Sequence, residues 1–190
     1  MTSDDPVRRP RVLRPGDRVA VVSPAGPSEP ARVARGVELL IGWGLEVGVA
    51  PEAYARHGYL GGTDAQRLDS LNRALRDPDI RAVLCTRGGY GVQRIVDALD
   101  HEAVRADPKL VVGFSDITAL HLALWRVARL AGVHGPGVAW NDARTPAAAA
   151  DSLRAALMTT DPVVLHPDDG VDTSAVRVAG AAVTGTLLGG

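Results

Sequence analysis

Ser115 is the residue of this sequence best placed to act as a nucleophile. It follows the apolar run 110–113, which is typical of a buried strand, and it precedes leucines at helical spacing. At such a junction the first backbone N–H groups of the helix are unpaired, and the helix dipole favours negative charge. A serine there can attack a carbonyl whose oxygen becomes an oxyanion, as at a nucleophile elbow. The position suits an ordinary N-cap serine equally, and from this stretch alone the cap is the commoner role.

The glycine-rich stretch Arg87-Gly88-Gly89-Tyr90-Gly91 is a second candidate, because it follows another apolar run, 80–86. Its glycines let backbone N–H groups approach a ligand closely. It lacks the spacing of a dinucleotide or P-loop motif, so a tight strand-to-helix turn explains it as well. Combined with Ser115, a glycine N–H of this turn and the N–H of Asp116 could form an oxyanion hole.

No histidine is a convincing general base for Ser115. His121 lies almost two turns further along the same helix and therefore points away from the helix N-terminus. His134 ends the next strand, but its Gly-Pro neighbours suit a structural turn equally. His57 and Tyr59 belong to a polar loop that could reach a ligand or be solvated. No acidic and histidine cluster has metal-ligand spacing, so neither a metal nor another cofactor is expected.

The composition indicates a soluble globular protein, with 190 residues, 46% hydrophobic and 23% charged. A formal net charge of -1 argues against a nucleic-acid or membrane-surface partner, because both need a basic face. The single cysteine, Cys85, excludes an internal disulfide and lies in an apolar run, so we expect a small buried side chain. No secretory signal or membrane-length apolar run is visible, which predicts a cytoplasmic location.

Strands that alternate with helices must position these candidates. Apolar runs predict strands at 18–23, 45–49, 80–86 and 110–113, and periodicity predicts helices near 31–42, 64–76, 92–99, 117–130 and 147–158. This alternation predicts an α/β fold with a doubly wound, mostly parallel sheet, of the flavodoxin-like or class I glutamine-amidotransferase-like kind. Functional groups then belong at the carboxyl ends of the strands, where Ser23, the 87–89 turn and Ser115 converge.

Three segments are expected along the chain. Residues 1–12 are predicted to be a disordered tail, residues 13–145 the nucleophile-bearing α/β domain, and residues 146–190 a linker and the start of a truncated C-terminal domain. The apolar, glycine-rich end VRVAGAAVTGTLLGG has no closing helix or polar terminus, which suggests a chain cut in mid-fold. An unpaired apolar segment would favour association, and a homodimer is one form that it could take.

Several motifs together resemble the LD-carboxypeptidases, the serine peptidases of the murein tetrapeptide carboxypeptidase and microcin C immunity group. In order, they are RPGDRVAVVSPAGP, GYLGGTDAQRLDSLNRALRDP, IRAVLCTRGGYG, VGFSDITALHLAL and HGP, and the resemblance covers about residues 11–190. It implies that Ser115 is the nucleophile and that the N–H groups of Asp116 and Gly89, with Gly88 as the close alternative, form the oxyanion hole. Arg87 and Tyr90 of the same turn are expected to contact the substrate.

The resemblance further implies a Ser–His–Glu triad whose glutamate and histidine lie in a C-terminal domain. The family reaches that domain through a G-x-L-x-G-G-N-like segment, and this chain stops inside the corresponding residues 185–190. The complete protein is then expected to remove terminal D-alanine from L,D-linked murein tetrapeptides in peptidoglycan recycling, and the 190-residue chain to be inactive alone.

Two alternatives remain open at this point. The first is an immunity-type hydrolase, whose substrate would be a peptidyl or aminoacyl adenylate. The second is a non-catalytic flavodoxin-like binding domain, in which the 87–91 turn cradles an anion and Ser115 only caps a helix.

Overall fold

A parallel five-stranded sheet with the order β2-β1-β3-β4-β5 forms the centre of the computed structural model, which describes residues 6–143 and 145–162. The strands are β1 (Arg18–Val22), β2 (Glu46–Val49), β3 (Ile80–Cys85), β4 (Leu110–Gly113) and β5 (Val133–His134). The helices are α1 (Pro30–Gly42), α2 (Asp64–Arg76), α3 (His101–Ala106), α4 (Ile117–Ala128) and α5 (Ala147–Met158). This is the strand order of a flavodoxin-like doubly wound sheet, so the predicted fold class is confirmed.

Alternate residues of the central strands enter two separate cores, one on each face of the sheet. Val19 and Val21 of β1 pack with α1 and α5, whereas Val22 packs with α2 and α4. In β3, Leu84 likewise enters the core with α1 and α5, and Val83 enters the core with α2 and α4. Burial on both faces explains why these strands read as continuous apolar runs rather than as alternating patterns.

The two faces also fix where a crevice forms. After β1 the chain continues into α1 on one face, and after the adjacent β3 it continues into residues packed on the other face. Neighbouring strands whose connections leave in opposite directions open a gap at their carboxyl ends, which is where doubly wound folds bind ligands.

The helix predicted over 92–99 is wrong, because this segment forms two short 3-10 turns, Val92–Arg94 and Val96–Ala98. Val92, Ile95 and Leu99 are buried all the same, since a 3-10 turn repeats every third residue and so satisfies much of a helical pattern. The α-helix begins only at α3, whose N-cap Asp100 accepts a hydrogen bond from the Ala103 N–H.

Two segments outside the predicted domain, 13–145, contact it. Arg8 lies in the predicted disordered tail, yet it forms a parallel bridge with Leu130 and its N–H donates to the Arg129 carbonyl at 2.9 Å. On α5, Leu153 and Leu157 join the core beside α1, because their spacing puts both on one helix face. The expectations for the apolar C-terminal end lie outside the described residues. Among the residues described, no helix is long and apolar enough to cross a bilayer.

Lys109, the only lysine of the chain, is a buried anchor at the start of β4 and is 1% exposed. Its ammonium donates to the carbonyls of Asp77 and Ile80, at 2.9 and 3.0 Å, and to the Asp107 carboxylate at 2.5 Å. A buried ammonium is tolerated when all three of its donors are used, as they are here.

We predict that Lys109→Met lowers the free energy of unfolding by about 2–4 kcal/mol, because two backbone carbonyls lose this donor and, among the described residues, the Asp107 carboxylate keeps only Arg81. Urea unfolding measures the change. The matched control is Arg18→Gln, which breaks the exposed Arg18–Asp79 pair and should cost less than about 1 kcal/mol. Equal losses in the two variants would contradict the assignment of Lys109 as an anchor.

Candidate active site

Ser115 adopts a strained backbone conformation in the turn between β4 and α4. Its φ is 58°, in the left-handed region that residues with a side chain rarely occupy. The Ile117 N–H closes the turn on the Phe114 carbonyl at 3.2 Å, and the Ser115 side chain is exposed. The N-cap residue of α4 is Asp116, with no side-chain cap, so the interpretation of Ser115 as a helix cap is wrong. Strain of this kind, at the end of a buried strand, is found where a side chain is held out for function.

The sequence Gly113-Phe114-Ser115 produces this turn because the chain has to pass close to α4. A side chain at Gly113 would begin 2.7 Å from the Ile117 methyl group, so β4 can end there only with glycine. Ile117 is fully buried and fixes the first turn of α4 against the sheet.

The 87–91 turn packs directly against Ser115. A Cβ on Gly88 would lie 2.8 Å from the Ser115 Cβ and 2.9 Å from the Phe114 carbonyl oxygen, so only glycine permits this approach. Gly89 has a φ of 139° and packs against Gly26 of the loop after β1. The Gly26 N–H in turn donates to the Gly88 carbonyl at 3.3 Å. The loops that follow β1, β3 and β4 therefore meet at one point.

The predicted oxyanion donors are the backbone N–H groups of Asp116, which follows Ser115, and of Gly89 in the 87–91 turn. Within the described residues, neither the Gly89 nor the Asp116 N–H donates a hydrogen bond. Donors of this kind, already fixed in place, are what stabilises a developing oxyanion. Gly88 packs against the serine turn and Gly89 against Gly26, so the alternative between these two glycines as the oxyanion donor stays a prediction.

The Asp116 carboxylate has a structural role that the sequence analysis missed. It accepts a hydrogen bond from the Val92 N–H at 3.1 Å and so ties the start of α4 to the end of the 87–91 turn. A contact between residues 24 positions apart leaves no signal in local spacing.

The fully buried Arg67 of α2 clamps the same turn from the other side, and it too was missed. Its guanidinium donates to the carbonyls of Pro24 and of Gly91, the latter at 2.9 Å, and to the Asp64 carboxylate at 2.5 Å. A signal was present in the sequence, because Arg67 precedes Leu71 by four residues and therefore lies on the buried face of α2.

A cavity of about 940 Å³ opens at the carboxyl ends of β1, β3, β4 and β5. Its walls include Gly26, Glu29, Arg32, Arg56, Tyr59, Arg87, Gly89, Tyr90, Phe114 and His134. Of the predicted substrate contacts, Arg87 and Tyr90 both line it. Tyr59, from the loop after β2, meets Tyr90 edge to face with ring centroids 6.2 Å apart, so the two exposed rings form one rim.

The charge of this cavity is unbalanced. Among the described residues, it is lined by three arginines, Arg32, Arg56 and Arg87, and by one acidic residue, Glu29. In the part of the chain that the structure describes, none of the three arginines forms an ion pair. The cavity therefore favours an anionic ligand.

The described histidines differ in what they could do. His121 is buried and hydrogen-bonded to the Val111 carbonyl at 3.1 Å, and burial lowers its pKa to about 4, so it stays neutral in the core. His134 is exposed, lines the cavity, and pairs with Gly113 in the register of β4 and β5. His57 is exposed in a backbone-paired loop outside this cavity. Among the described residues, no histidine is hydrogen-bonded to the Ser115 hydroxyl.

Neither Cys85 nor Ser23 is suited to act as a nucleophile. Burial raises the pKa of the Cys85 thiol to about 12, which keeps it protonated and unreactive. Ser23, the other serine at a strand end, is buried and binds the Gly26 carbonyl, so its role is to shape the loop. Within the described ranges, no group of three or more His, Cys, Asp or Glu side chains could hold a metal ion.

Comparison with known proteins identifies relatives of this arrangement. The family model described as the LD-carboxypeptidase N-terminal domain matches residues 19–135. A Streptomyces coelicolor protein that is named as a carboxypeptidase is 46% identical over 183 residues, which are 94% of this chain and 59% of that protein. The murein tetrapeptide carboxypeptidase of Pseudomonas aeruginosa is 38% identical over 120 residues, which are 63% of this chain and 39% of that protein.

Solved structures agree with the sequence matches. The MccF-like protein of Bacillus anthracis gives a TM-score of 0.74 at 26% identity, over 80% of this chain and 48% of that one. The microcin C7 self-immunity protein MccF, in complex with aspartyl sulfamoyl adenosine, gives 0.73 at 25% identity over the same shares of the two chains. The chain thus spans about half the length of these solved proteins.

The ion pair of Asp64 with Arg67, the arginine that clamps the 87–91 turn, can be tested by its dependence on pH. Hydrogen bonds from Arg94 and then from Arg67 lower the pKa of Asp64 to about 2, below the ordinary value of about 4. A lowered carboxyl pKa stabilises the fold above the unfolded pKa, and this contribution is lost as the pH falls from about 4 towards 2. We predict that Asp64→Asn is less stable than the wild type at pH 7 and that the difference shrinks over this range.

Urea unfolding at pH 7 and near pH 2.5 measures this difference. Asp69→Asn is the matched control, because Asp69 is exposed on the same helix and has no ion pair among the described residues. For Asp69→Asn, the difference in free energy of unfolding from the wild type should not shrink in this way between the two pH values. A wild-type advantage over Asp64→Asn that is the same at both pH values would contradict the assignment.

Proposed function

The chain belongs to the LD-carboxypeptidase family, and we propose that it carries the nucleophile, Ser115, of a serine peptidase that removes terminal D-alanine from L,D-linked murein tetrapeptides. One observation carries this proposal: an exposed serine with a φ of 58° stands at the end of a buried strand, in contact with a glycine turn. A helix cap needs neither the strain nor the exposure, whereas a nucleophile that must reach a carbonyl uses both.

The reaction would proceed by covalent catalysis. The Ser115 oxygen attacks the carbonyl carbon of the L-lysyl or diaminopimelyl residue, and its proton passes to a general base. The carbonyl oxygen becomes an oxyanion that accepts hydrogen bonds from the N–H groups of Asp116 and Gly89. The carbon–nitrogen bond then breaks, D-alanine leaves with the proton on its amine, and water hydrolyses the acyl ester to the tripeptide and free Ser115.

The base would be a histidine oriented by a glutamate, as the family resemblance implies. His134 lines the cavity, but it is not hydrogen-bonded to Ser115, and the relatives extend well beyond the matched region. We therefore assign both groups to the C-terminal domain that the family resemblance implies, beyond residue 190. Purified residues 1–190 should then turn over an L,D-tetrapeptide negligibly, and the whole protein should act on peptides of the cytoplasm.

A second candidate function is that of the immunity branch, which is favoured by the likeness to MccF in complex with aspartyl sulfamoyl adenosine. The substrate would then be a peptidyl or aminoacyl adenylate, and the same serine would attack its acyl carbonyl. The cationic cavity suits either candidate, because murein peptides carry carboxylates and adenylates carry a phosphate.

We predict that Ser115→Ala in the full-length protein lowers kcat for an L,D-tetrapeptide by about 10⁴-fold or more, because no nucleophile remains. Release of D-alanine measures turnover. Ser152→Ala on α5 is the matched control and should keep wild-type activity. Full activity of Ser115→Ala would remove Ser115 from the mechanism.

The two candidate substrates are compared on the wild-type, full-length protein. It should show the higher kcat/KM for the tetrapeptide, and a higher value for an acyl-sulfamoyl adenylate would favour the second candidate.

A further inference from the structure

Arg87 is the cavity arginine that is tied to the serine turn. Its Nε–H donates to the Gly88 carbonyl at 3.1 Å, and Gly88 is the residue in contact with Ser115. The Arg87 Nε also lies 3.5 Å from the point where a side chain on Gly26 would begin. The guanidinium of Arg87 is therefore held where the loop after β1 meets the 87–91 turn.

The terminal nitrogens of this guanidinium have no partner in the described structure. Eight arginines of the described chain pair with a carboxylate, namely Arg11, Arg18, Arg35, Arg67, Arg73, Arg76, Arg81 and Arg94. Arg87 does not, although its Nε is fixed in place. A guanidinium anchored at Nε, with both terminal nitrogens free in a cavity, is prepared to bind a carboxylate with two parallel hydrogen bonds.

We propose that Arg87 binds the terminal carboxylate of the residue that the enzyme releases, and that it thereby restricts cleavage to the last bond of the peptide. The inference rests on the proposed function, because it takes Ser115 as the attacking group. In such a substrate, only the amide nitrogen and the α-carbon separate the attacked carbonyl from the terminal carboxylate. An arginine attached to the turn that holds the oxyanion is placed to bind that carboxylate in the same complex.

This contact supplies specificity against longer or blocked peptides. A peptide that continues beyond the scissile bond, or that ends in a carboxamide, brings no anion to Arg87 and forms no charge-assisted pair of hydrogen bonds with its guanidinium. Because the Arg87 side chain is exposed, the discrimination comes from the contact that the acid gains rather than from a buried charge left unpaired. Arg87 is thus a specificity-determining residue, distinct from the nucleophile and the oxyanion donors.

The test pairs a change in the enzyme with a change in the substrate. Full-length wild type and Arg87→Gln are assayed on an L,D-tetrapeptide with a free terminal carboxylate and on the same peptide as its terminal carboxamide. We expect the wild type to prefer the acid by about 10- to 100-fold in kcat/KM, the usual value of a charged hydrogen-bonded contact. In Arg87→Gln, kcat/KM for the acid should fall by that factor, whereas kcat/KM for the amide should change by less than about threefold.

Arg32→Gln and Arg56→Gln are the matched controls, because each removes one positive charge from the same cavity. Both should preserve the acid-to-amide ratio, whatever they do to the rates. Equal slowing of both substrates by Arg87→Gln would overturn the proposal, since Arg87 would then act only by holding the Gly88 carbonyl. A wild type that does not distinguish the substrates would overturn it too. Turnover of neither substrate by the wild type would overturn the proposed function along with it.

Discussion

The buried guanidinium of Arg67 is the interaction on which the architecture of the site depends. It is fully enclosed, and it joins the loop after β1, the turn after β3 and the start of α2 through Pro24, Gly91 and Asp64. A charge removed from water is tolerated only when carbonyl and carboxylate oxygens replace the lost hydration. The planar fork of arginine can satisfy several acceptors at fixed angles, which a lysine could not do. The two loops are therefore held at one distance by a group that cannot easily release either of them.

That fixed distance makes the close packing at the serine turn feasible. Gly89 contacts Gly26 and Gly88 contacts Ser115, both at separations that only glycine permits. The Asp116 carboxylate closes the arrangement by binding the Val92 N–H on the far side of the same turn. A strained serine at φ 58° persists only where its surroundings over-determine it, and here the packing and these polar ties do so. The same constraints hold an exposed hydroxyl next to the 87–91 turn, and within the described residues the N–H groups of Gly89 and Asp116 donate no hydrogen bond.

Local sequence patterns were enough to predict the sheet and the location of the site, but not the contacts that shape it. Runs such as 80–86 and 110–113 are buried on both faces, so apolar content alone marks them as strands, and the strand-end rule then brings the 87–89 turn to Ser115. The left-handed backbone of Ser115 could not be predicted, because a serine between a strand and a helix is found both in helix caps and in nucleophile elbows. The helix expected at 92–99 failed because a spacing of three also fits 3-10 turns. The contacts of Asp116 with Val92 and of Arg67 with Gly91 join segments distant in sequence and exist only once the chain has folded.

Covalent catalysis requires a bond between Ser115 and the acyl part of the substrate, and trapping that intermediate shows whether it forms. Full-length protein is mixed with an L,D-tetrapeptide, quenched in acid at short times, digested and examined by mass spectrometry. We expect that the peptide containing Ser115 gains the mass of the acyl tripeptide, that D-alanine appears in step with it, and that Ser115→Ala shows no such adduct. An acyl group on any other residue, or one that still forms in Ser115→Ala, would contradict it.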